Sequence, residues 1–272
     1  MKIFFLTGCA NGIGRHMTDL LLHQGHAVTA TDVCFEDLER LAWERQWPTE
    51  RTLLMPLDVR QPADWKRAIA QSMARWGRLD VGMNIAGVIR PGYLTEQTPA
   101  DVDWMVDVNL KGVMLGTCAL AEVMLQQGGG HIVNVASLAG IAPIRGLSIY
   151  SATKCAVRAY SIATALELRQ KNVFLSVVCP DLVDTNMLTL QLEYEAAALT
   201  FSGNRILTVE DVGRAIMKEA LAKKRLEVLL PGSRGWLGKL GNAFPALATR
   251  LTESLSRKGL TNQQQLKERN QR

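Results

Sequence analysis

The sequence predicts a doubly wound α/β fold, in which helices cover both faces of a parallel sheet of about seven strands. Seven continuous apolar runs, each bounded by glycine or polar residues, suit strands that are covered on both faces. Segments with helical apolar spacing alternate with these runs almost without exception. A chain of 272 residues with 47% hydrophobic content can bury one full core, so we expect a single domain.

The predicted strands follow one another along the whole chain. In order, they are KIFFLTG, HAVTATD, TLLMPLDV, LDVGMNIAG, GHIVNVAS, VFLSVVCP and LEVLLP. The predicted helices cover residues 15–24, 36–46, 62–76, 99–126, 150–171 and 209–222. Most connections are short, but residues 181–205 form a long mixed segment. Long segments in compact domains are often lids over a binding site, which is the role that we expect here.

Charge divides the chain into two parts. Residues 1–231 carry a net charge of −1, whereas residues 232–272 carry eight basic and two acidic residues, a net +6. A near-neutral body excludes a nucleic-acid-binding domain, whose surface would present a basic face. We therefore expect one catalytic domain over residues 1–231, which binds cofactor and substrate, and a basic tail over residues 232–272.

Cysteine and histidine usage indicates neither a disulfide framework nor a metal site. The five cysteines show no Cys-x-x-Cys spacing, and the four histidines form no ligand cluster. There is no uninterrupted apolar run of 18 residues and no charged leader before the first strand. These features predict a cytoplasmic protein.

A glycine-rich turn follows the first predicted strand. The strand ends in TGCANGIG, with Gly8, Gly12 and Gly14, and a helix follows. Glycine lets backbone N–H groups approach a pyrophosphate, and the helix N-terminus adds partial positive charge. Asp32 ends the second strand 18 residues after Gly14, a spacing typical of Rossmann dinucleotide sites.

Asp32 predicts NAD rather than NADP as the cofactor. Its carboxylate can accept hydrogen bonds from both hydroxyls of the adenosine ribose, whereas a 2′-phosphate would meet a like charge. No basic residue occurs at positions 33–35, and Asn11 precedes Gly12. Arg15 is the one nearby cation in the sequence, and we interpret it as a surface residue of the first helical turn.

Tyr150 and Lys154 lie four residues apart and so share one face of a predicted helix. Such a pair is common on solvated helix surfaces, and taken alone it does not establish chemistry. A phenol can nevertheless exchange a proton with an alcohol if a nearby ammonium favours its phenolate. The sequence around the pair decides between these interpretations.

Several motifs, in the same order and spacing, resemble the short-chain dehydrogenase/reductase family from Lys2 to about Pro231. They are Thr-Gly-x-x-x-Gly-x-Gly from Thr7, DV at Asp58 and Val59, NIAG from Asn84 to Gly87, Asn109 in VDVNLKG, Ser137 in NVAS, and Tyr150 with Lys154. Two departures are that NIAG replaces the family's usual Asn-Asn-Ala-Gly, and that Asp181 follows Pro180 where glycine is usual.

The resemblance implies four catalytic residues. Tyr150 would be the general acid/base, and Lys154 would favour its phenolate and reach the nicotinamide ribose. Ser137 would hydrogen-bond the substrate oxygen, and Asn109 would hold a water in a proton relay from Lys154 to solvent.

It also implies cofactor contacts, with Asp58 and Val59 at the adenine and Thr185 at the nicotinamide carboxamide. The implied set is Thr7, Gly8, Asn11, Gly12, Ile13, Gly14, Asp32, Asp58, Val59, Asn84, Ala86, Gly87, Tyr150, Lys154, Pro180, Val183 and Thr185.

The resulting hypothesis is an NAD(H)-dependent oxidoreductase that interconverts a secondary alcohol and a ketone. The expected pocket segments, 89–93, 138–147 and 181–205, are rich in residues such as Leu138, Ile141 and Leu188, so we expect a lipophilic substrate such as a steroid, a retinoid or a fatty-chain alcohol. Because these segments also contain Arg90 and Arg145, an acidic substrate remains an alternative. One alternative is an NADP(H)-dependent 3-oxoacyl or carbonyl reductase, and another is a dinucleotide-sensing regulatory protein without catalysis.

We expect a homodimer or homotetramer assembled through the helices at 107–124 and 150–168. The family resemblance implies it, and both helices carry more apolar residues than one core-facing stripe requires. These residues are Val113, Met114, Leu115, Val157 and Ile162.

The tail has the composition of a basic amphipathic segment. Its apolar residues recur at spacings of three and four, with cations between them, as in segments that lie in a membrane interface. They are Trp236, Leu237, Leu240, Phe244, Leu247, Leu251 and Leu255, with Lys239, Arg250, Arg257 and Lys258. Gly241 and Pro245 predict two short helices, and the last dozen residues are expected to be disordered. Peripheral membrane contact remains open, and so does packing on the body or on a neighbouring subunit.

Overall fold

A seven-stranded parallel sheet forms the centre of the molecule. The computed structural model describes residues 1–270, except for the side chains of residues 245, 247–251 and 270. The strand order is β3-β2-β1-β4-β5-β6-β7. The strands are β1 Ile3–Thr7, β2 Ala27–Asp32, β3 Thr52–Pro56, β4 Val81–Asn84, β5 Gly130–Val135, β6 Val173–Pro180 and β7 Glu227–Leu230. The predicted fold class and all seven predicted strands are confirmed.

Helices cover both faces of this sheet. They are α1 Gly12–His23, α2 Phe35–Glu44, α3 Pro62–Trp76, α4 Pro99–Val106, α5 Gly112–Gln126, α6 Ser148–Arg169, α7 Asn186–Leu192, α8 Val209–Ala215, α9 Gly232–Ala243 and α10 Pro245–Asn270. A π-helical turn, Asp107–Lys111, joins α4 to α5, and a second, Ile216–Ala222, follows α8. Short 3-10 segments are Leu94–Glu96, Leu138–Gly140 and Glu195–Ser202.

Alternation along β1 explains the two hydrophobic cores. Phe4 and Leu6 point to one face, where they pack with residues of α1 such as Met17. Ile3 and Phe5 point to the other face, in the cluster that also contains residues of α3 and α5. Successive side chains of a strand point to opposite faces, so one short apolar run supplies both cores. The strand order reverses between β1 and β4, which creates a crevice at the carboxyl ends of these strands.

The helical run Pro99–Gln126 is long and apolar enough by composition to cross a membrane. It contains polar residues, so it is not an uninterrupted apolar run. In the structure it is a core helix, in which Met105, Leu120 and Met124 are fully buried. Polar contacts also fix it to the sheet, because Asn84 Nδ2 donates to Thr117 Oγ1 over 3.2 Å.

The sequence predicted disorder in the last dozen residues, but the described ones among them, up to Asn270, are helical. The chain breaks between α9 and α10 at Pro245, as expected, but α10 is 26 residues long and continues to Asn270. Gln263 Nε2 donates to the carbonyl oxygens of Gln191 and Tyr194, both at 2.9 Å. Asn262 Nδ2 donates to the Phe201 carbonyl oxygen at 2.9 Å. These side-chain amides hold α10 on the segment 181–205. Such hydrogen bonds cannot be recognised from the pattern of apolar residues in the sequence.

The two halves of the predicted amphipathic tail behave differently. On α9, Trp236, Leu237 and Leu240 are exposed, as is Phe244 directly after it. α10 instead packs on the Glu195–Ser202 segment, although its Leu255 is exposed. The side chains of Leu247, Arg250 and Leu251 lie outside the described part of the chain.

Candidate active site

A cavity of about 450 Å³ opens at the carboxyl ends of the central strands. Most of the residues predicted for the cofactor and the chemistry line it. They are Gly8, Asn11, Gly12, Ile13, Gly14, Asp32, Asp58, Val59, Ala86, Gly87, Ser137, Tyr150, Lys154, Pro180, Val183 and Thr185. One sheet edge thus brings together residues that are far apart in the sequence.

The glycine turn forms the floor of this cavity between β1 and α1. Gly8 and Gly12 have φ values of +73° and +54°, a region that favours glycine. A Cβ on Gly8 would lie 2.9 Å from Ala86 Cα, and one on Gly14 would clash with the Gly8 carbonyl. Asn11, the N-cap of α1, makes no side-chain hydrogen bond to the first turn. The first N–H groups of α1 therefore keep their capacity to bind an anion such as a pyrophosphate.

Backbone hydrogen bonds fix the Asp32 carboxylate. Oδ2 accepts from the Ala10 N–H at 2.9 Å, and Oδ1 accepts from the Cys34 N–H at 3.0 Å. Each carboxylate oxygen has a further lone pair, so both can still accept a hydrogen bond from a ribose hydroxyl. Asp32 is half-buried and lines the cavity, which fits the adenosine end of a dinucleotide.

Arg60, which sequence reasoning missed, holds the Asp58 carboxylate. Arg60 Nε donates to Asp58 Oδ1 at 2.9 Å, and a terminal guanidinium nitrogen donates to Oδ2 at 2.7 Å. These hydrogen bonds lower the pKa of Asp58 below its ordinary value. Arg60 also lines the cavity, so the site carries a cation that the search at positions 33–35 did not find.

Thr7, Asn84 and Asn109 do not line the cavity, in contrast to the predicted contacts. Thr7 Oγ1 accepts from the N–H groups of Ile85 and Ala86 at 3.0 and 3.1 Å. Asn84 is buried against α5 and β5, because alternation along β4 turns it away from the crevice. These two side chains shape the cavity wall from behind.

Asn109 binds the backbone of Val88, which lines the cavity. Its Oδ1 accepts from the Val88 N–H at 2.8 Å, and its Nδ2 donates to the Val88 carbonyl oxygen at 2.9 Å. It lies in the π-helical turn, where the Gly112 N–H bonds the carbonyl of Asp107, five residues back. The side chain of Asn109 is thus committed to the backbone that follows Gly87. The sequence expectation that it holds a water is not tested by this geometry.

Ser137, Tyr150 and Lys154 meet where β5 ends and α6 begins. Ser137 Oγ accepts from the Ala139 N–H at 3.1 Å and donates to the Pro180 carbonyl oxygen at 3.4 Å. Lys154 Nζ donates to the Val135 carbonyl oxygen at 3.0 Å and lies 5.7 Å from the centre of the Tyr150 ring. The three polar side chains therefore lie together in the wall of the cavity.

Burial dominates the ionisation of this cluster. It raises the pKa of Tyr150 to about 12, and the nearby Ser137 side chain opposes this shift. It lowers the pKa of Lys154 to about 8, because the charged ammonium loses water. The bias of Tyr150 toward its phenolate by Lys154 stays a prediction. At neutral pH Tyr150 is a phenol.

The wall beside Tyr150 is mainly apolar, but its members differ from those expected. Ile89, Ile144, Leu147, Leu182 and Met187 line it, all from the expected segments, together with Trp104, which the sequence reasoning missed. Among the residues expected in the pocket, Leu138 and Ile141 pack under α6, and Leu188 packs within the 181–205 segment.

Neither candidate arginine lines this cavity. Arg90 Nε lies 3.2 Å from Asp101 Oδ1, and Arg145 lies over the Tyr93 ring at 5.2 Å. The geometry therefore gives no support to recognition of an acidic substrate by these two residues.

Asp181, where the sequence departs from the family pattern, lines the cavity, and its side chain is only 8% exposed. Arg234 Nε, at the start of the tail, lies 2.8 Å from Asp181 Oδ2. A terminal nitrogen of Arg234 also donates to Ser202 Oγ at 3.0 Å. Burial raises the pKa of Asp181, and the charge of Arg234 opposes that shift. The tail thus supplies the partner for a carboxylate at the end of β6.

Comparisons with known proteins agree with this geometry. The sequence profile of the short chain dehydrogenase family matches residues 2–195. The 3-oxoacyl-(acyl-carrier-protein) reductase FabG of Thermotoga maritima is 33% identical over 68% of this chain and 76% of its own length.

Two solved structures have the same fold. A short chain dehydrogenase/reductase from Burkholderia phymatum in complex with NAD is 26% identical, with a TM-score of 0.80 over 91% of this chain and 95% of that chain. A 3-ketoacyl-(acyl-carrier-protein) reductase from Brucella melitensis complexed with NADH is 25% identical, with a TM-score of 0.75 over 84% of this chain and 96% of that chain. With the family profile matching well over half of its length, the protein belongs to the short-chain dehydrogenase/reductase family of oxidoreductases.

Proposed function

We propose that the protein is an NAD(H)-dependent oxidoreductase that interconverts a secondary alcohol and a ketone. The observation that carries this proposal is the meeting of Ser137, Tyr150 and Lys154 in the same cavity as the glycine turn and Asp32. Family membership supports the reaction class and a nicotinamide dinucleotide as the cofactor. When bound, the cofactor supplies or accepts the hydride at the reacting carbon.

The roles of the side chains follow from their donors and burial. Ser137 donates its hydroxyl hydrogen to the substrate oxygen and orients it. In the direction of reduction, Tyr150 transfers its phenolic proton to the oxygen that becomes the alcohol, and in oxidation the phenolate takes that proton back. The protonated state of buried Tyr150 suits reduction at neutral pH. Lys154 keeps a positive charge beside the phenol and donates toward the nicotinamide ribose, while Asn109 fixes the adjoining backbone.

The preference for NAD over NADP rests on Asp32. Its carboxylate occupies the cavity where a 2′-phosphate would meet a like charge. The Burkholderia and Brucella proteins, which share the fold, were solved with NAD and NADH.

One observation favours a second candidate, an NADP(H)-dependent 3-oxoacyl or carbonyl reductase. Arg60 lines the cavity and could pair with a phosphate, and the Thermotoga relative is named a 3-oxoacyl reductase. Parallel titrations with NADH and NADPH distinguish the two candidates. A dinucleotide-sensing regulator without catalysis is disfavoured. Such a sensor would not need Ser137, Tyr150 and Lys154 together.

A lipophilic substrate is supported by the wall around Tyr150. Ile89, Trp104, Leu147 and Met187 would contact a substrate through apolar surface. The experiment is a screen of steroid, retinoid and fatty-chain secondary alcohols with NAD, followed by the absorbance of the reduced nicotinamide. Turnover of 3-oxoacyl thioesters with NADPH alone, and of no lipophilic alcohol with NAD, would contradict the proposal.

The proposal includes a cytoplasmic homodimer or homotetramer that uses α5 and α6. Two of the residues offered for this contact, Val113 and Val157, are buried inside the single chain and cannot take part. Met114, Leu115 and Ile162 are half-buried, and Leu166 on α6 is exposed. The apolar surface that remains supports assembly through these helices. Light scattering at micromolar concentration tests it, and the mass of a single chain would contradict it.

A further inference from the structure

Helix α9 has its apolar residues on the outside. Trp236, Leu237 and Leu240 are 63%, 67% and 59% exposed, and Phe244, directly after the helix, is 63% exposed. At 3.6 residues per turn, the three helical residues fall within an arc of about 100°. An ordinary surface helix of a globular protein points such a stripe toward the core.

The inner side of α9 is made of glycine and paired charges. Within α9, all of whose residues are described, Gly235 alone is buried. A Cβ on Gly235 would lie 2.6 Å from Leu229 Cβ of β7, and one on Gly238 would lie 3.2 Å from Ala142 Cβ. The glycines therefore let the helix backbone lie directly on the body.

The cations of α9 also point inward. Arg234 pairs with buried Asp181, and Lys239 pairs with Glu227 of β7. The helix is fixed by its polar side chains, while its large apolar side chains face away from the protein. Exposed large apolar side chains grouped in this way are typical of an interaction site.

Charge indicates which partner covers this face. The tail from residue 232 carries a net +6, whereas the body carries −1. Arg257 and Lys258 of α10 are exposed. Two copies of the chain meeting through α9 would bring two strongly positive tails together, which is unfavourable. An anionic lipid surface matches both features, since it takes tryptophan, leucine and phenylalanine at the acyl boundary and basic residues at the headgroups.

We propose that Trp236, Leu237, Leu240 and Phe244 form a docking face that binds an anionic membrane surface. This face lies close to the active site, because α9 packs against Ile141 and Ala142, which follow Ser137 in the chain. A docked protein would therefore hold its apolar cavity near molecules dissolved in the bilayer. That consequence rests on the proposed lipophilic substrate, but the docking itself does not.

The test is co-sedimentation of the full chain with vesicles. One set contains phosphatidylcholine and phosphatidylglycerol, and the other contains phosphatidylcholine alone. We expect pelleting with the anionic set at low salt and release as ionic strength rises from about 0.05 M to about 0.5 M, where screening is stronger. Because no substrate or cofactor is present, the result is independent of the proposed function.

Two matched variants locate the binding face. Trp236→Ser/Leu240→Ser removes apolar contact from α9, and we expect its partitioning to fall by roughly tenfold or more. The control, Trp43→Ser/Leu94→Ser, changes side chains that are 81% and 80% exposed elsewhere, and it should pellet like the unaltered protein. Equal thermal midpoints establish that both variants are folded.

Three outcomes would overturn the proposal. The unaltered protein could stay in the supernatant with anionic vesicles at low salt. The α9 variant could pellet as well as the control. Light scattering could show that the α9 variant alone has a lower mass than the unaltered protein, in which case the face joins copies of the chain.

Discussion

At the scale of single residues, burial shifts the pKa values of the catalytic pair. Tyr150 has a pKa raised to about 12 and Lys154 a pKa lowered to about 8, because both lose water in the same cavity wall. Near neutral pH a phenol therefore stands beside an ammonium. In the proposed reaction this phenol is the proton donor for reduction, whereas oxidation must first generate the phenolate.

Tyr150→Phe should lower kcat by about 10²- to 10⁴-fold, because it removes the group that transfers the proton. NADH affinity should change little, since the ring and its packing remain. Kinetics and a fluorescence titration measure the two effects. Tyr160→Phe is the matched control on the same helix, because Tyr160 does not line the cavity and its loss should leave kcat unchanged. Retention of activity by Tyr150→Phe within a few-fold would refute the role of the phenol.

NADH should bind more tightly than NADPH by about ten- to hundredfold, equivalent to about 1–3 kcal/mol of lost hydroxyl bonds and like-charge repulsion at Asp32. Asp32→Ala should reduce this difference in affinity, mainly by weakening the binding of NADH. In the Asp32→Ala variant, the further change Arg60→Met should weaken the binding of NADPH if Arg60 binds the 2′-phosphate. Equal affinities of the unaltered protein for both dinucleotides, measured by calorimetry, would show that the assignment of Asp32 is wrong.

At the scale of elements, the tail and the segment 181–205 are joined by the Asp181–Arg234 pair. Asp181 is buried, so Arg234→Met should cost about 1–3 kcal/mol of unfolding free energy by leaving a buried carboxylate without its cation. The double variant Asp181→Asn/Arg234→Met should recover part of this loss, because no buried charge remains.

Urea unfolding of both single variants and the double variant gives the coupling energy of this pair. The matched cycle uses Asp37 and Arg40, which are 52% and 67% exposed, and it should give under about 0.5 kcal/mol. If the coupling energy of Asp181 and Arg234 is no larger than that of the surface pair, the charge of Arg234 does not anchor helix α9.

Elements whose signal is local could be predicted from the sequence. The seven strands are apolar runs, and the glycine turn needs residues without a Cβ, so both are visible in the residue types. Whether a polar residue faces the crevice depends on strand alternation and helix register. The family resemblance implied cofactor contacts for Thr7 and Asn84, but it did not show that their side chains lie behind the cavity wall.

The attachment of α10 was not predictable for a similar reason. Gln263 and Asn262 bind backbone carbonyls that become available only once residues 181–205 have folded. Arg60 was missed because its partner, Asp58, was itself assigned to the adenine. In each case the deciding contact is polar and joins segments that are distant along the chain or assigned to other roles.

At the scale of the whole molecule, stability should fall in mild acid because of His131 on β5. Its Nε2 lies 2.9 Å from Ser176 Oγ of β6, and that hydroxyl donates to the Arg225 carbonyl oxygen at 2.6 Å. Ser176 thus accepts from a neutral His131 that carries its hydrogen on Nε2. Burial, followed by the charges of Lys224 and Lys2, lowers the pKa of His131 to about 4.

The sign follows from proton binding. Between pH 6.5 and pH 4 the unfolded chain binds a proton at this histidine and the native protein does not, so acid favours unfolding. From pH 7 to pH 5 the loss from this one group should be about 2 kcal/mol. Other groups also titrate in this range, so the measurement is a difference. The free energy of unfolding of the unaltered protein should fall more than that of His131→Gln, which keeps a side-chain amide near Ser176 but cannot titrate. Parallel falls in the two proteins would show that His131 does not control the acid response.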